Sequence, residues 1–164
     1  MKWEEYIKES ARTDNATTLD DAWGNYTLGL FGEVGEVVEL VKKHVYHGHE
    51  LDAERMREEL GDVCWYLAAL CRWSGVPVDE PRVWTGDDLY ASLRSLSSCA
   101  GQLIRSPRYR RGAGDKADMA ICYLAGVADA LDMRLGDVLQ ANIDKLRARY
   151  PDGWSEEASQ RREA

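Results

Sequence analysis

The sequence GLFGEVGEVVEL, residues 29–40, indicates both the fold and the chemistry of this chain. At about 100° per residue, its leucine and valine side chains fall on one arc of a helix, which predicts an amphipathic helix packed against a core. Glu33 falls inside that apolar arc, and Glu36 lies at its margin. An acidic pair three residues apart therefore lies on, or beside, the face that should be buried.

The sequence EELGDVCWYL, residues 58–67, repeats this arrangement on a second predicted helix, with Glu59 inside the apolar arc and Asp62 at its margin. If the two helices form an antiparallel hairpin, four carboxylates meet, and their repulsion and lost solvation require a cation. Ligands that are all oxygen favour Mg²⁺ first and Mn²⁺ second. A di-iron bundle calls for Glu-x-x-His pairs, which neither helix carries.

The alternative is that these acids belong to solvated helix faces. Either pair alone would favour that interpretation, but two pairs that enter an apolar arc at a matching angle favour a metal site. Gly29, Gly32 and Gly35 add to it, because a glycine inside a helix costs ~1 kcal/mol relative to alanine. These glycines would either leave room for a ligand beside Glu36 or allow close helix packing.

Outside these two stretches the periodicity stays helical, and clusters of β-branched residues between turn signals are absent. The prediction is an all-α four-helix bundle with extra helical segments at the N-terminal and C-terminal ends. It forms one domain over residues 1–154, followed by a polar tail at 155–164. A basic loop is predicted at 106–114. Helices are predicted at residues 2–11, 19–46, 52–74, 87–104, 115–131 and 135–150.

A weak internal repeat connects two parts of the chain, since the sequence YLA at residues 66–68 recurs at 123–125. It suggests two related helical hairpins in a pseudo-symmetric core, and coincidence among alanine-rich helices is the alternative. The positions that correspond to the first acidic pair are Leu96 and Cys99 in the second hairpin. We therefore expect one carboxylate cluster per chain.

Composition narrows the class of partner. The chain has 164 residues, with 29 acidic against 21 basic ones and a net charge of -8. This balance argues against a nucleic-acid partner, which requires a basic face. The four cysteines show no CxxC spacing and are expected to be reduced. Neither a bilayer-spanning apolar run nor a signal-peptide start is present, so we expect a cytoplasmic protein with no membrane partner.

The spacing of the acids resembles that of a known family. The ExxE of Glu33 and Glu36, 22 intervening residues, and the ExxD of Glu59 and Asp62 resemble the MazG-like nucleotide pyrophosphohydrolases. These belong to the all-α NTP pyrophosphatase superfamily, which also includes dimeric dUTPases. The resemblance extends to Lys42-Lys43 and to residues 61–70, 142–146 and 149–155, with Ser159 and Arg161 similar to the family's tail.

Two features depart from the family pattern. Many members begin the first motif with a double glutamate, whereas this chain has Gly32-Glu33 and so one acid fewer. The segment 81–133 is longer than the connection expected in the simplest members. The family implies a homodimer or a higher homo-oligomer, but this segment could replace part of a dimer interface within one chain.

The resemblance implies Mg²⁺-dependent hydrolysis of (deoxy)nucleoside triphosphates to a monophosphate and pyrophosphate. Glu33, Glu36, Glu59 and Asp62 would hold the metal, and Glu33 or Glu36 would accept a proton from the attacking water. Two alternatives are a dUTPase-like enzyme specific for pyrimidines and a catalytically silent nucleotide-binding regulator. The preferred base, the sugar and the number of metal ions stay open. Residues implied in substrate binding are Lys43, Asn142, Lys145, Arg149 and Arg161.

Two other groups of residues are weaker candidates for a functional site. Four aromatic residues at helical spacing could stack on a base, but this pattern favours core packing: Trp23, Tyr26, Trp65 and Trp73. Three histidines suggest a metal, yet they cluster at a helix end and the following loop, where a solvated turn is favoured over a zinc site: His44, His47 and His49.

Overall fold

A computed structural model describes residues 1–75, 79–82, 88–105 and 113–160. These residues form helices and no strand, which confirms the all-α prediction. The expected helix start at residue 87 and the loop residues 106–112 lie outside the described residues. The helices are α1 Trp3–Ser10, α2 Leu19–His47, α3 Ala53–Ser74, α4 Leu89–Arg105, α5 Ala113–Ala130, α6 Leu135–Arg149 and α7 Glu156–Gln160, with a 3₁₀ turn at Ala11–Thr13.

The ends of α2 and α3 are fixed by capping residues that the sequence displays. The Thr18 hydroxyl accepts a hydrogen bond from the Asp21 amide, and the Asp52 carboxylate accepts one from the Arg55 amide. Each helix ends at a glycine with left-handed backbone, Gly48 at φ 71° and Gly75 at φ 66°. The caps limit the connection between the two helices to a few residues, so α2 and α3 form an antiparallel hairpin.

Two hairpins make up the core. Helix α2 packs on α3, α4 packs on α5, and the hairpins join through contacts of α2 with α4 and of α3 with α5. Leu96 and Cys99 are buried in α4, so the second hairpin offers apolar side chains at the positions that correspond to the first acidic pair. The large, fully buried side chains of the bundle include Leu30, Met56, Leu60, Leu67, Leu103, Ile121 and Leu124.

The outer helices differ in part from the prediction. Helices α1 and α6 both pack on α3 and on each other, so α3 is covered by these two helices as well as by α2 and α5. The predicted polar tail contains the short helix α7, and Gly114 lies in α5 instead of in the predicted loop, because α5 begins at Ala113. No helix in the described ranges is long and apolar enough to cross a membrane.

All four cysteines are free thiols. Burial raises the pKa of Cys71 to about 12 and that of Cys64 further, so both stay protonated and unreactive at neutral pH.

Candidate metal and nucleotide site

Three of the four predicted acids meet where α2 faces α3. One carboxylate oxygen from each of Glu33, Glu59 and Asp62 lies within 4.8 Å of the others, and all three residues are partly buried. Glu36 stays outside this group. Its side chain is 54% exposed, and one of its oxygens lies 3.5 Å from the Arg55 guanidinium. The margin position of Glu36 therefore turns its carboxylate toward solvent.

Asp62 is held by two residues of α6. The Asn142 amide donates to Asp62 Oδ1 at 3.0 Å, and Lys145 Nζ donates to the same oxygen at 2.6 Å. Within the described part of the chain no hydrogen bond falls on Asp62 Oδ2. The α6 contacts thus hold the Asp62 carboxylate through one oxygen, Oδ1.

Asn142 is positioned in turn by α1 and by a close helix approach. The fully buried Tyr6 hydroxyl donates to Asn142 Oδ1 at 2.7 Å, and burial raises the pKa of Tyr6 well above its usual value, so it remains a donor. A Cβ atom at Gly61 would lie 2.9 Å from Asn142 Cβ and Nδ2. Glycine at position 61 therefore lets α6 approach closely enough for Asn142 to reach Asp62.

Arg55 is a site residue that the sequence interpretation missed. Its Nε lies 3.4 Å from Glu59 Oε1, while its Nη2 lies near Glu36, so one guanidinium bridges two of the predicted acids. The signal was available, because Arg55 precedes Glu59 by four residues on one helix. Arg55 is about half exposed, so each pair contributes little to stability. Arg55 and Lys145 together bring two positive charges to the three clustered carboxylates.

The other predicted phosphate-binding residues divide between the site and the surface. Arg149 lines a pocket beside the acids. Lys43 instead pairs with Glu39 at 3.3 Å, with both side chains about 40% exposed. Arg161 lies outside the described residues. The roles of these three residues in substrate binding remain predictions.

The pocket has a volume of about 260 Å³ and borders the acidic cluster. Helical spacing favours core packing for Tyr26 and Trp65, but both residues also line this pocket, whereas Trp23 is buried as predicted. Their rings pack edge to face, with centroids 5.2 Å apart. The residues that line the pocket include Glu33, Asp62, Tyr26, Trp65, Tyr66 and Trp154, with Thr13, Asn15 and Asn25.

The glycines at positions 29, 32 and 35 of α2 have different surroundings. A Cβ at Gly29 would lie 2.2 Å from the Tyr66 ring, so this glycine makes room for a pocket residue. Gly32 and Gly35 have nothing within 4 Å of the same position. Close packing therefore explains Gly29 alone, and room for a ligand remains the prediction for the other two.

The three histidines lie at the exposed end of α2 and in the loop that follows it. His47 and His49 have ring centroids 6.4 Å apart, and His44 Nδ1 contacts the His49 carbonyl at 2.9 Å on the exposed end of α2. Among the described residues, Glu33, Glu59 and Asp62 make up the group of three or more His, Cys, Asp or Glu residues that could hold an ion.

Comparison with known proteins supports the resemblance. Residues 24–80 match the family model of the MazG nucleotide pyrophosphohydrolase domain. The matched range includes all four predicted acids and Arg55, whereas Asn142, Lys145 and Arg149 come from outside it. No curated protein and no solved structure gives a match.

Proposed function

We propose, on the premise that residues 24–80 form a MazG-like nucleotide pyrophosphohydrolase domain, that the protein hydrolyses nucleoside or deoxynucleoside triphosphates to a monophosphate and pyrophosphate. The observation that carries this proposal is the meeting of Glu33, Glu59 and Asp62 beside a pocket with aromatic walls. An acidic cluster suits the metal-bound phosphates, and the aromatic pocket suits the base.

The donor set fits a hard divalent cation, which we assign as Mg²⁺ with Mn²⁺ as its substitute. Oxygen ligands of Mg²⁺ lie about 2.1 Å from the ion. The three carboxylates spread over as much as 4.8 Å, so small side-chain rotations would bring them into range. A bound cation would neutralise phosphate charge and make a coordinated water more acidic.

Side chains of the protein would contact the phosphates and accept the proton of the attacking water. Lys145 and Arg149 on α6, and the half-exposed Arg55 side chain, would contact phosphate oxygens. A water oxygen would bond to the α-phosphorus, the bond from that phosphorus to the bridging oxygen would break, and pyrophosphate would leave. Glu33 or Glu36 would take the proton of the water.

Glutamine substitutions at Glu33 and Glu36 test which of these acids mainly binds the metal and which mainly accepts the proton. We expect Glu33→Gln to raise the half-saturating Mg²⁺ concentration roughly tenfold, because it removes a charged oxygen from the cluster. We expect Glu36→Gln to lower kcat with a smaller change in the Mg²⁺ requirement, because its carboxylate lies outside the group of three. Steady-state rates over a Mg²⁺ titration give both values. Equal shifts in the Mg²⁺ requirement would contradict this division.

A panel of NTPs and dNTPs tests the proposed function. Purified protein with Mg²⁺ should release a monophosphate and pyrophosphate from at least one substrate, and chelation should stop it. Turnover of dUTP alone would favour the dUTPase-like alternative. Nucleotide binding without turnover of any substrate would refute the enzyme and favour the silent regulator. The homo-oligomer, the cytoplasmic location and the domain limits of 1–154 remain predictions.

A further inference from the structure

A partly buried polar network lies behind the aromatic wall of the pocket. Its centre is Asp14, whose side chain is only 13% exposed. Asp14 Oδ1 accepts hydrogen bonds from the Tyr26 hydroxyl and, at 3.3 Å, from the Ala16 amide. Asp14 Oδ2 accepts from Arg72 at 3.1 Å and from Trp73 Nε1 at 3.0 Å. Every group around this carboxylate is therefore a donor.

The network connects the segment before α2 to the pocket. Burial, and next the hydrogen bond to Asp14, raise the pKa of Tyr26, so its hydroxyl stays protonated and donates to the carboxylate. The Tyr26 ring packs against Trp65, and Trp65 Nε1 donates to the Thr13 hydroxyl at 2.8 Å. Two of the aromatic pocket residues are thus held by consecutive residues, Thr13 and Asp14.

The same segment also forms part of the pocket itself. Thr13 and Asn15 line it, on either side of Asp14. Arg12 connects the segment to the residues that follow α6, because it donates to the carbonyls of Tyr150 and Pro151 at 3.2 and 2.6 Å, and Tyr150 also lines the pocket. These contacts lie outside residues 24–80, the range of the family match.

We infer that Asp14 is a positioning residue for nucleoside binding: it fixes Tyr26 and the segment 13–15 as the wall against which the base and sugar lie. This inference rests on the proposed function. None of the four groups that donate to Asp14 belongs to Glu33, Glu59 or Asp62. Loss of the Asp14 carboxylate should therefore weaken nucleoside binding and leave the phosphate chemistry intact.

Asp14→Asn tests the inference, because it keeps the shape of the side chain but turns an amide group toward donors. We expect KM for a nucleoside triphosphate, and the Ki of the monophosphate product, to rise roughly tenfold, in line with the loss of a charge-assisted hydrogen bond. kcat should change less than about threefold, and the Ki of pyrophosphate should not change, because pyrophosphate carries no nucleoside.

Ser10→Ala is the matched control. Ser10 is buried and accepts a bond from Arg72 at 2.8 Å, so its loss weakens the same network away from the pocket. It should lower the melting temperature without raising KM. Tyr26→Phe removes the hydroxyl that donates to Asp14, and this variant alone should raise KM. In the double variant with Asp14→Asn it should raise KM little further, since both substitutions remove the same hydrogen bond.

Different results overturn the role of Asp14 and the proposed function. If KM rises equally in Ser10→Ala, or if the Ki of pyrophosphate moves with that of the monophosphate, the inference is wrong. If Asp14→Asn does not fold, an unchanged KM in Tyr26→Phe overturns it. If the wild type turns over no triphosphate, the proposed function fails. Monophosphate affinity, followed by tryptophan fluorescence, then decides the inference, which falls if the wild type binds none or if Asp14→Asn binds as tightly.

Discussion

Replacement of Asp62 by asparagine is expected to lower triphosphate hydrolysis by about 10²- to 10³-fold while the helical fold persists. The carboxylate belongs to the group of three acids, and Asn142 and Lys145 already occupy its Oδ1. The variant has no negative charge for the cation, and its amide group would face either that cation or the Lys145 ammonium. Steady-state kcat, measured at saturating Mg²⁺, reports the loss.

Glu58→Gln is the matched control for Asp62→Asn. Glu58 lies on the same helix, next to Glu59, but it is exposed and outside the acidic group. It makes the same change of charge, so its activity should stay within about twofold of the wild type, as for an exposed surface substitution. Circular dichroism and the melting temperature check the fold of both variants. Residual activity above a tenth of the wild type in Asp62→Asn would contradict its role.

Gly61→Ala is expected to damage stability and activity together. The added methyl group would lie 2.9 Å from Asn142, which is buried in the contact of α3 with α6. Overpacking of this kind costs about 1–3 kcal/mol of unfolding free energy. Because α6 must shift, Asn142 and Lys145 lose their places on Asp62, and we expect kcat to fall at least tenfold. Urea unfolding and steady-state kinetics measure the two effects.

Gly24→Ala provides the comparison for Gly61→Ala. It introduces the same methyl group inside a helix, but nothing lies within 4 Å of the new Cβ atom. It should therefore stabilise the fold by about 0.5–1 kcal/mol through helix propensity, with activity unchanged. Equal effects of the two substitutions would mean that the approach of α6 to α3 at Gly61 does not matter.

The hairpin of α2 and α3 could be predicted from local sequence because its signals are local. Thr18 and Asp52 are capping residues, Gly48 and Gly75 are stop signals, and the apolar arcs give each helix its buried face. Two inward acids on such arcs have to face each other across the hairpin. The outward turn of Glu36 was harder to foresee, because a margin position leaves both directions open and Arg55 draws it to solvent.

The pocket could not be predicted in the same way, because its walls come from separate parts of the chain. Thr13 and Asn15 precede α2, while Trp154 follows α6, and no periodic pattern connects them. Tyr26 shows a second limit. It is 1% exposed, as its apolar position predicts, yet it also lines a pocket. Helical spacing reports burial, and it does not report whether the space beside a buried ring is filled.

The position of bond cleavage is the critical test of the proposed chemistry. Wild-type protein with Mg²⁺ and a substrate from the panel is run in water enriched in ¹⁸O, and the products are analysed by mass spectrometry. Attack on the α-phosphorus beside the acidic cluster predicts one ¹⁸O atom in the nucleoside monophosphate and none in pyrophosphate. Label in inorganic phosphate together with a nucleoside diphosphate, or label in pyrophosphate, would contradict it.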